Sequence, residues 1–117
     1  MAETTQLELV TPARVMLSKS VEMVVIPGSE DLFGVLAHHA PVLANLQRGV
    51  VEVHEGGKII DRIMIDGGVA DVTENGVTIL AERAENLDTA SSQEVRERAL
   101  ASTGADAEFL TIVAEAL

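Results

Sequence analysis

Adjacent imidazoles at His38 and His39 are the first residues of this sequence that could do chemistry, since a histidine pair can ligate a transition metal or shuttle a proton near neutral pH. Neighbours in an extended chain point to opposite sides, no third ligand follows at helical or hairpin spacing, and His54 lies beyond an intervening strand. Loop histidines account for the pair better than a metal centre does. Carboxylates at Glu52, Glu55, Asp61, Asp66 and Asp71 could supply an acid and a base or gather a calcium ion, but such sites need their oxygens to converge and these are strewn along strands. They read as a solvated outer face. The stretch Pro27-Gly28-Ser29-Glu30-Asp31 has the outline of a phosphate loop without its further glycine and lysine, and its carboxylates would repel phosphate, which leaves a turn. Ser18, Ser20, Ser29, Ser91 and Ser92 lack the Gly-x-Ser-x-Gly elbow that arms a nucleophilic serine, so turn and cap roles suffice for most of them. No catalytic residue, metal site or cofactor is expected.

The elements that carry these residues are mostly short strands. Leu7 and Leu9 alternate with polar neighbours over Gln6 to Val10, and Thr11-Pro12 ends the run. Arg14 to Leu17 and Val21 to Ile26 follow as two apolar runs separated by Ser18-Lys19-Ser20, and turn chemistry fills Pro27 to Leu32. Pro41 to Leu46 leads to Gly49, after which Val51 and Val53 take one face of a strand and Glu52 and His54 the other. Glu55-Gly56-Gly57-Lys58 makes a hairpin into Ile59 to Ile65, and Asp66-Gly67-Gly68 a tight bend. Asn75-Gly76 is the strongest short hairpin signal, because both central positions of that turn favour positive φ; Val69 to Thr73 should pair antiparallel with Val77 to Ala81. Many closely spaced strands with no helix between them predict an antiparallel sandwich and argue against a βαβ enzyme fold.

The pattern changes after Glu85-Asn86-Leu87-Asp88. Ser91-Ser92-Gln93-Glu94 is a capping box, with Val95, Ala99 and Leu100 at helical spacing behind it. Thr103-Gly104 is the stop, Asp106 the next cap, and Phe109, Ile112, Val113 and Leu117 a second apolar stripe. The expected organisation is a sandwich domain over residues 1–87 and a helical hairpin over 88–117, too short to be stable without packing on something.

Composition narrows the function. Apolar residues make up 47% of the chain and aromatics 2%, so the core rests on branched aliphatics and offers no stacking platform for nucleic acid. A formal net charge of −11 repels phosphate backbones and anionic lipid alike. The chain has no cysteine, which suits a reducing compartment, and Met1 to Val10 carries neither a signal peptide nor a membrane span. A binding module working through protein partners remains.

Five stretches, in order and at matching spacing, resemble the epsilon subunit family of F-type ATP synthases: Val25-Ile26-Pro27-Gly28-Ser29-Glu30, Phe33-Gly34-Val35-Leu36, His39-Ala40-Pro41, Gly67-Gly68-Val69-Ala70-Asp71-Val72 and Val77-Thr78-Ile79-Leu80-Ala81. The resemblance spans almost the whole chain. It implies a ten-stranded antiparallel β-sandwich followed by two helices, a non-catalytic rotor part of the central stalk that binds the gamma subunit and the polar loops of the c subunits in the membrane ring. It also implies a peripheral location on the cytoplasmic face of the bacterial inner membrane, or the matching organelle side, without direct lipid binding. The loop from Gly28 to Gly34 together with His39 would lie at the end that meets the ring, making Ser29, Glu30, Asp31 and His39 the expected ring contacts. Asp31 and His38 stand where the family has turn glycines and are residue types that tolerate left-handed backbone, while Leu32 replaces an acid. The tail is shorter than that of the better-known bacterial members. Its basic residues Arg96 and Arg98 are the candidates for weak inhibition of ATP hydrolysis through the alpha/beta catalytic head. The family's nucleotide motif lacks its arginine in Leu87-Asp88-Thr89-Ala90-Ser91-Ser92, so no useful ATP binding is expected. A small nucleotide- or ligand-sensing sandwich is the alternative.

Overall fold

In the computed structural model, which describes residues 3–117, alternation of buried and exposed side chains builds ten strands before any helix forms. Met1 and Ala2, part of the amino-terminal segment considered above, lie outside the described residues. The strands are β1 (Thr5–Val10), β2 (Val15–Val21), β3 (Met23–Pro27), β4 (Leu32–Leu36), β5 (Val42–Leu46), β6 (Gly49–Glu55), β7 (Lys58–Ile65), β8 (Gly68–Val72), β9 (Gly76–Ala81) and β10 (Ala84–Asn86). Helices α1 (Ser92–Leu100) and α2 (Gly104–Ala116) follow. One sheet runs β2-β1-β9-β8-β5 and the other β10-β7-β6-β3-β4, five strands in each. The antiparallel β-sandwich with a helical hairpin behind it is therefore the observed fold, with one parallel pair inside it: β1 lies beside β9 with Leu7 opposite Val77 and Leu9 opposite Ile79.

The sandwich interior is aliphatic. Leu7, Leu9, Val24, Ile26, Val53, Ile63, Ile65 and Ile79 are fully buried between the sheets, and each such side chain contributes about 1.5 to 3 kcal/mol by leaving water. A second, smaller core forms where the helices lie on the outer surface of the β6-β7-β10 region. It gathers Met64, Leu87, Val95, Phe109, Leu110, Val113 and Ala114.

Several local expectations change. Ser18-Lys19-Ser20 does not interrupt a strand: these residues continue β2, opposite Glu8, Leu7 and Gln6 of β1, and the chain instead turns from one sheet to the other at Glu22. Gly56 and Gly57, at φ 58° and 77°, make the expected left-handed hairpin turn, but Asn75-Gly76 does not. Neither residue has positive φ; the loop pivots at Glu74-Asn75, and the Thr73 hydroxyl accepts hydrogen bonds from the backbone N–H groups of Asn75 (3.3 Å) and Gly76 (3.2 Å). Gly76 is needed for a different reason, since a Cβ there would sit 2.8 Å from the Gln6 carbonyl oxygen across the parallel pair. Gly68 is the tightest position, at φ 133° with a Cβ placed 2.1 Å from the Leu80 oxygen.

In α1, Ser91 Oγ accepts from the Glu94 N–H at 3.1 Å, as a capping serine should. Leu100 points to solvent, 88% exposed, and Val95 is the residue that α1 buries. Helix α2 begins earlier than expected, at Gly104 with Thr103 before it, so Asp106 lies inside the first turn; Phe109, Leu110, Val113 and Ala114 form its buried stripe, while Leu117 is partly exposed.

Candidate functional site

Strand registers divide the sandwich into two ends. At one end lie the start of β1, the Glu22 turn, the Gly56-Gly57 hairpin, the Thr73–Gly76 loop and the 37–41 loop. At the other lie the 28–31 loop, Gln47-Arg48, Asp66-Gly67, Glu82-Arg83 and the helix pair. Ser29, Glu30 and Asp31 are thus brought together, exposed, on a loop tied back by Ser29 N–H to the Asn45 carbonyl (3.0 Å) and by the Gly28–Leu46 bridge. His39 belongs to the opposite end, separated from them by the length of β4. Five residues at about 3.3 Å each make that roughly 16 Å. A surface that includes all four residues must run along the side of the sandwich, where β4 edges one sheet and β5 the other. Leu32, Leu36 and Leu43 on these two strands are 61%, 57% and 72% exposed, which makes this side unusually apolar for a free surface.

The loop stereochemistry explains two substitutions. His38 adopts φ 62°, so an imidazole occupies a left-handed position, and its Nε2 is 3.4 Å from a Glu3 carboxylate oxygen. Asp31, by contrast, does not have positive φ; its Oδ1 accepts from the Leu32 N–H at 2.8 Å and holds the loop that way. His39 Nδ1 lies 2.7 Å from the Ala40 carbonyl oxygen, which can only accept, so Nδ1 carries the proton. Among the described residues no three His, Cys, Asp or Glu side chains gather as a metal site.

The carboxylates expected to be simply solvated are mostly paired. Glu52 meets His54 Nε2 at 3.2 Å on the outer face of β6, and Asp61 forms an ion pair with Lys19 that ties β7 to β2 across the two sheets. Asp66 sits between two guanidiniums, Arg48 Nε at 2.8 Å and an Arg83 nitrogen at 3.1 Å. Both arginines reach on to α2, Arg83 Nε to Asp106 at 2.6 Å and Arg48 to Glu108 at 3.5 Å. Arg98 of α1 donates to Glu85 of β10 at 2.5 Å, and Arg62 of β7 donates to Asp88 at the approach to α1 at 3.1 Å. A charged clamp therefore surrounds the small helix core. Hydrogen bonding to Asp66, Asp106 and Glu85 respectively raises the pKa values of Arg48, Arg83 and Arg98 above the ordinary guanidinium value. Sequence reading missed this clamp because its members are 13 to 60 residues apart and no local spacing links them. Of the two tail arginines, Arg98 is engaged in the clamp, whereas Arg96 is exposed, with Nε 3.4 Å from Ser92 Oγ.

A cleft of about 500 Å³ opens between the β1–β2 loop, the β9–β10 loop and the helices, lined in part by Arg14, Met16, Arg83, Arg98 and Phe109. No helix among the described residues is long and apolar enough to cross a membrane.

Comparison with known proteins agrees with this architecture. Residues 4–87 match the family described as ATP synthase, Delta/Epsilon chain, beta-sandwich domain. The ATP synthase epsilon chain of Rhodospirillum rubrum is 47% identical over 98 residues, covering 84% of this chain and 73% of that one. The epsilon chain of Hyphomonas neptunium is 50% identical over 95 residues, covering 81% and 70%. Among solved structures, a chain of the Euglena gracilis mitochondrial ATP synthase (OSCP/F1/c-ring) superposes with a TM-score of 0.67 at 28% identity, over 94% of this chain and 74% of that one. A chain of the Tetrahymena thermophila central stalk and c-ring shares the fold, with a TM-score of 0.61 at 16% identity over 81% and 72%. With the sandwich, the helix pair and this similarity in agreement, the chain belongs to the ATP synthase delta/epsilon chain family.

Proposed function

We propose that this chain is a non-catalytic central-stalk subunit of a proton-translocating ATP synthase, joining the gamma subunit to the c-subunit ring so that the two turn together. The observation that carries this reading is the epsilon-chain similarity, 45% to 50% identity over more than four-fifths of the sequence in three bacterial relatives. A rotor part needs stiffness and two adhesive surfaces rather than a reaction centre. The dense aliphatic sandwich supports the first requirement. For the second, the outer surface of the β1-β9-β8 sheet offers an apolar row in Val10, Leu80 and Val69, opposite one another in the registers, as the gamma surface. The β4–β5 side, bounded by Ser29, Glu30 and Asp31 at one end and His39 at the other, is the ring surface. Exposed ion pairs there are worth about 0 to 1 kcal/mol each, so acidic loop residues orient the contact while leucines hold it.

In this reading the sandwich, residues 1–87, does the coupling and residues 88–117 form a separate unit. Arg96, which forms no ion pair among the described residues, is the tail cation that faces the alpha/beta head, and inhibition of ATP hydrolysis through Arg96 and Arg98 is weak because Arg98 must first leave Glu85. The subunit sits peripherally on the cytoplasmic face of the bacterial membrane, held by its partners. Mixing the chain with purified gamma subunit and scoring size-exclusion chromatography for a stable one-to-one complex tests the assignment; separate elution of two folded proteins rejects it.

The cleft beside α2 favours a second reading, a nucleotide- or ligand-sensing sandwich, because it places Arg14, Arg83 and Arg98 around one space. Two of those guanidiniums are already paired with Asp66, Asp106 and Glu85, which leaves little positive charge for a phosphate chain. A rise in unfolding temperature with millimolar-range ATP would bring this reading forward.

A further inference from the structure

The Thr73–Gly76 loop joins β8 to β9, and its Asn75-Gly76 pair is solvent-accessible at Asn75 yet is not the turn that such a pair usually makes. Asn followed by Gly is chemically vulnerable, because an unhindered glycine amide nitrogen can reach the asparagine side chain. We propose that Asn75 is a deamidation site held closed by the Thr73 hydroxyl. In the reaction, the Gly76 backbone nitrogen loses its proton and attacks Asn75 Cγ; a C–N bond forms, the Cγ–Nδ2 bond breaks and ammonia leaves. Water then opens the cyclic imide at either carbonyl, giving aspartate or isoaspartate.

Four contacts oppose the first step. The nucleophilic nitrogen is occupied, since the Gly76 N–H donates to Thr73 Oγ1 at 3.2 Å. The peptides on either side are fixed as well, the one before because the Asn75 N–H donates to the same oxygen at 3.3 Å and the one after because the Gly76 carbonyl accepts from the Thr73 N–H at 2.8 Å. Rotation of the Asn75-Gly76 peptide is limited from the far side, where Gly76 lies so close to β1 that even a Cβ would be 2.8 Å from the Gln6 oxygen. Ring closure therefore requires the hairpin end to open first, and the reaction rate reports how often it does. Each event adds a carboxylate beside Glu74 on a chain already at −11. The isoaspartate product also inserts a methylene into the main chain at the start of β9.

The test incubates the intact chain at mildly alkaline pH and follows the peptide containing Asn75 by mass spectrometry for the gain of about 1 Da that replacement of NH₂ by OH produces, with enzymatic methylation to count isoaspartate. Wild type should react at least about tenfold more slowly when folded than when held in urea, as expected if opening of the hairpin limits the rate. Thr73→Ala leaves both N–H groups without their acceptor and should speed the folded reaction at least about fivefold through a larger open population, while Thr73→Ser restores wild-type protection. Equal rates in folded and unfolded wild type overturn the proposal. So does a folded Thr73→Ala chain, verified by its thermal unfolding, that reacts no faster than wild type, or a Thr73→Ser chain as fast as Thr73→Ala.

Discussion

The interior of the sandwich and the seam beneath the helix pair are built from different forces. Sixteen buried aliphatic residues fill the first, with no charge among them and a single aromatic ring, Phe33, packed at its margin. Seven residues make the second, one of them Phe109, and a clamp of arginines and carboxylates encloses them. Aliphatic packing in a large core is nearly indifferent to salt, whereas exposed ion pairs weaken as the Debye length falls. One chain thus carries a body whose stability is hydrophobic and an appendage whose seating is partly electrostatic.

Ile79→Ala should give the largest effect, about 3 to 4 kcal/mol, because a cavity at a fully buried site between two sheets cannot collapse; chemical denaturation followed by far-ultraviolet circular dichroism should show the whole sandwich weakened. Phe109→Ala should cost about 3 kcal/mol at the seam and register elsewhere, as faster amide exchange in α1 and α2 with the β-strand amides of the sandwich interior unchanged. Equal loosening of both regions would mean that the two cores are one cooperative unit. Arg98→Ala should destabilise helix seating by about 1 kcal/mol, a modest effect because the Arg98 side chain remains partly exposed to solvent, and leave the sandwich melt in place. Raising salt toward 1 M should speed exchange in α2 more than in β1 or β7, and Arg48→Ala should remove part of that salt dependence. Alkali is a poor probe of the same contacts. Raised guanidinium pKa values contribute stability that is fully present below the free group's pKa and is lost only as pH rises beyond it, outside any working range. The smallest effect should be a gain: His38→Gly relieves a left-handed imidazole and should stabilise the sandwich by about 0.5 kcal/mol, a rise in its unfolding midpoint with no change in helix exchange.

How much of this could be read in the sequence depended on the range of the interaction involved. Period-two alternation placed Leu7 and Leu9, Val51 and Val53, and the Gly56-Gly57 hairpin, because each is decided by neighbours a few residues away. The Ser91 cap was legible for the same reason. Ser18-Lys19-Ser20 misled because three polar residues look like a turn, although pairing with β1 provides the backbone partners that keep them extended. Asn75-Gly76 misled more instructively. The glycine is needed by a strand more than sixty residues upstream, at Gln6, and not by its own turn. Asp66, the centre of the clamp, carries no local sign of its two arginines, and the separation of Asp31 from His39 follows from strand direction, which no motif encodes.

The parallel pair between β1 and β9 has a consequence for how the molecule comes into being. During synthesis the amino-terminal hairpin β1–β2 emerges first and lacks its neighbour until Gly76 to Ala81 have left the ribosome. Its sheet is completed by nearly the last strand made, a long-range closure of the kind that slows folding and leaves an unpaired edge exposed to other chains. The interval of translation before β9 is free to pair is where this protein is most open to aggregation and where a chaperone would find β1 unguarded.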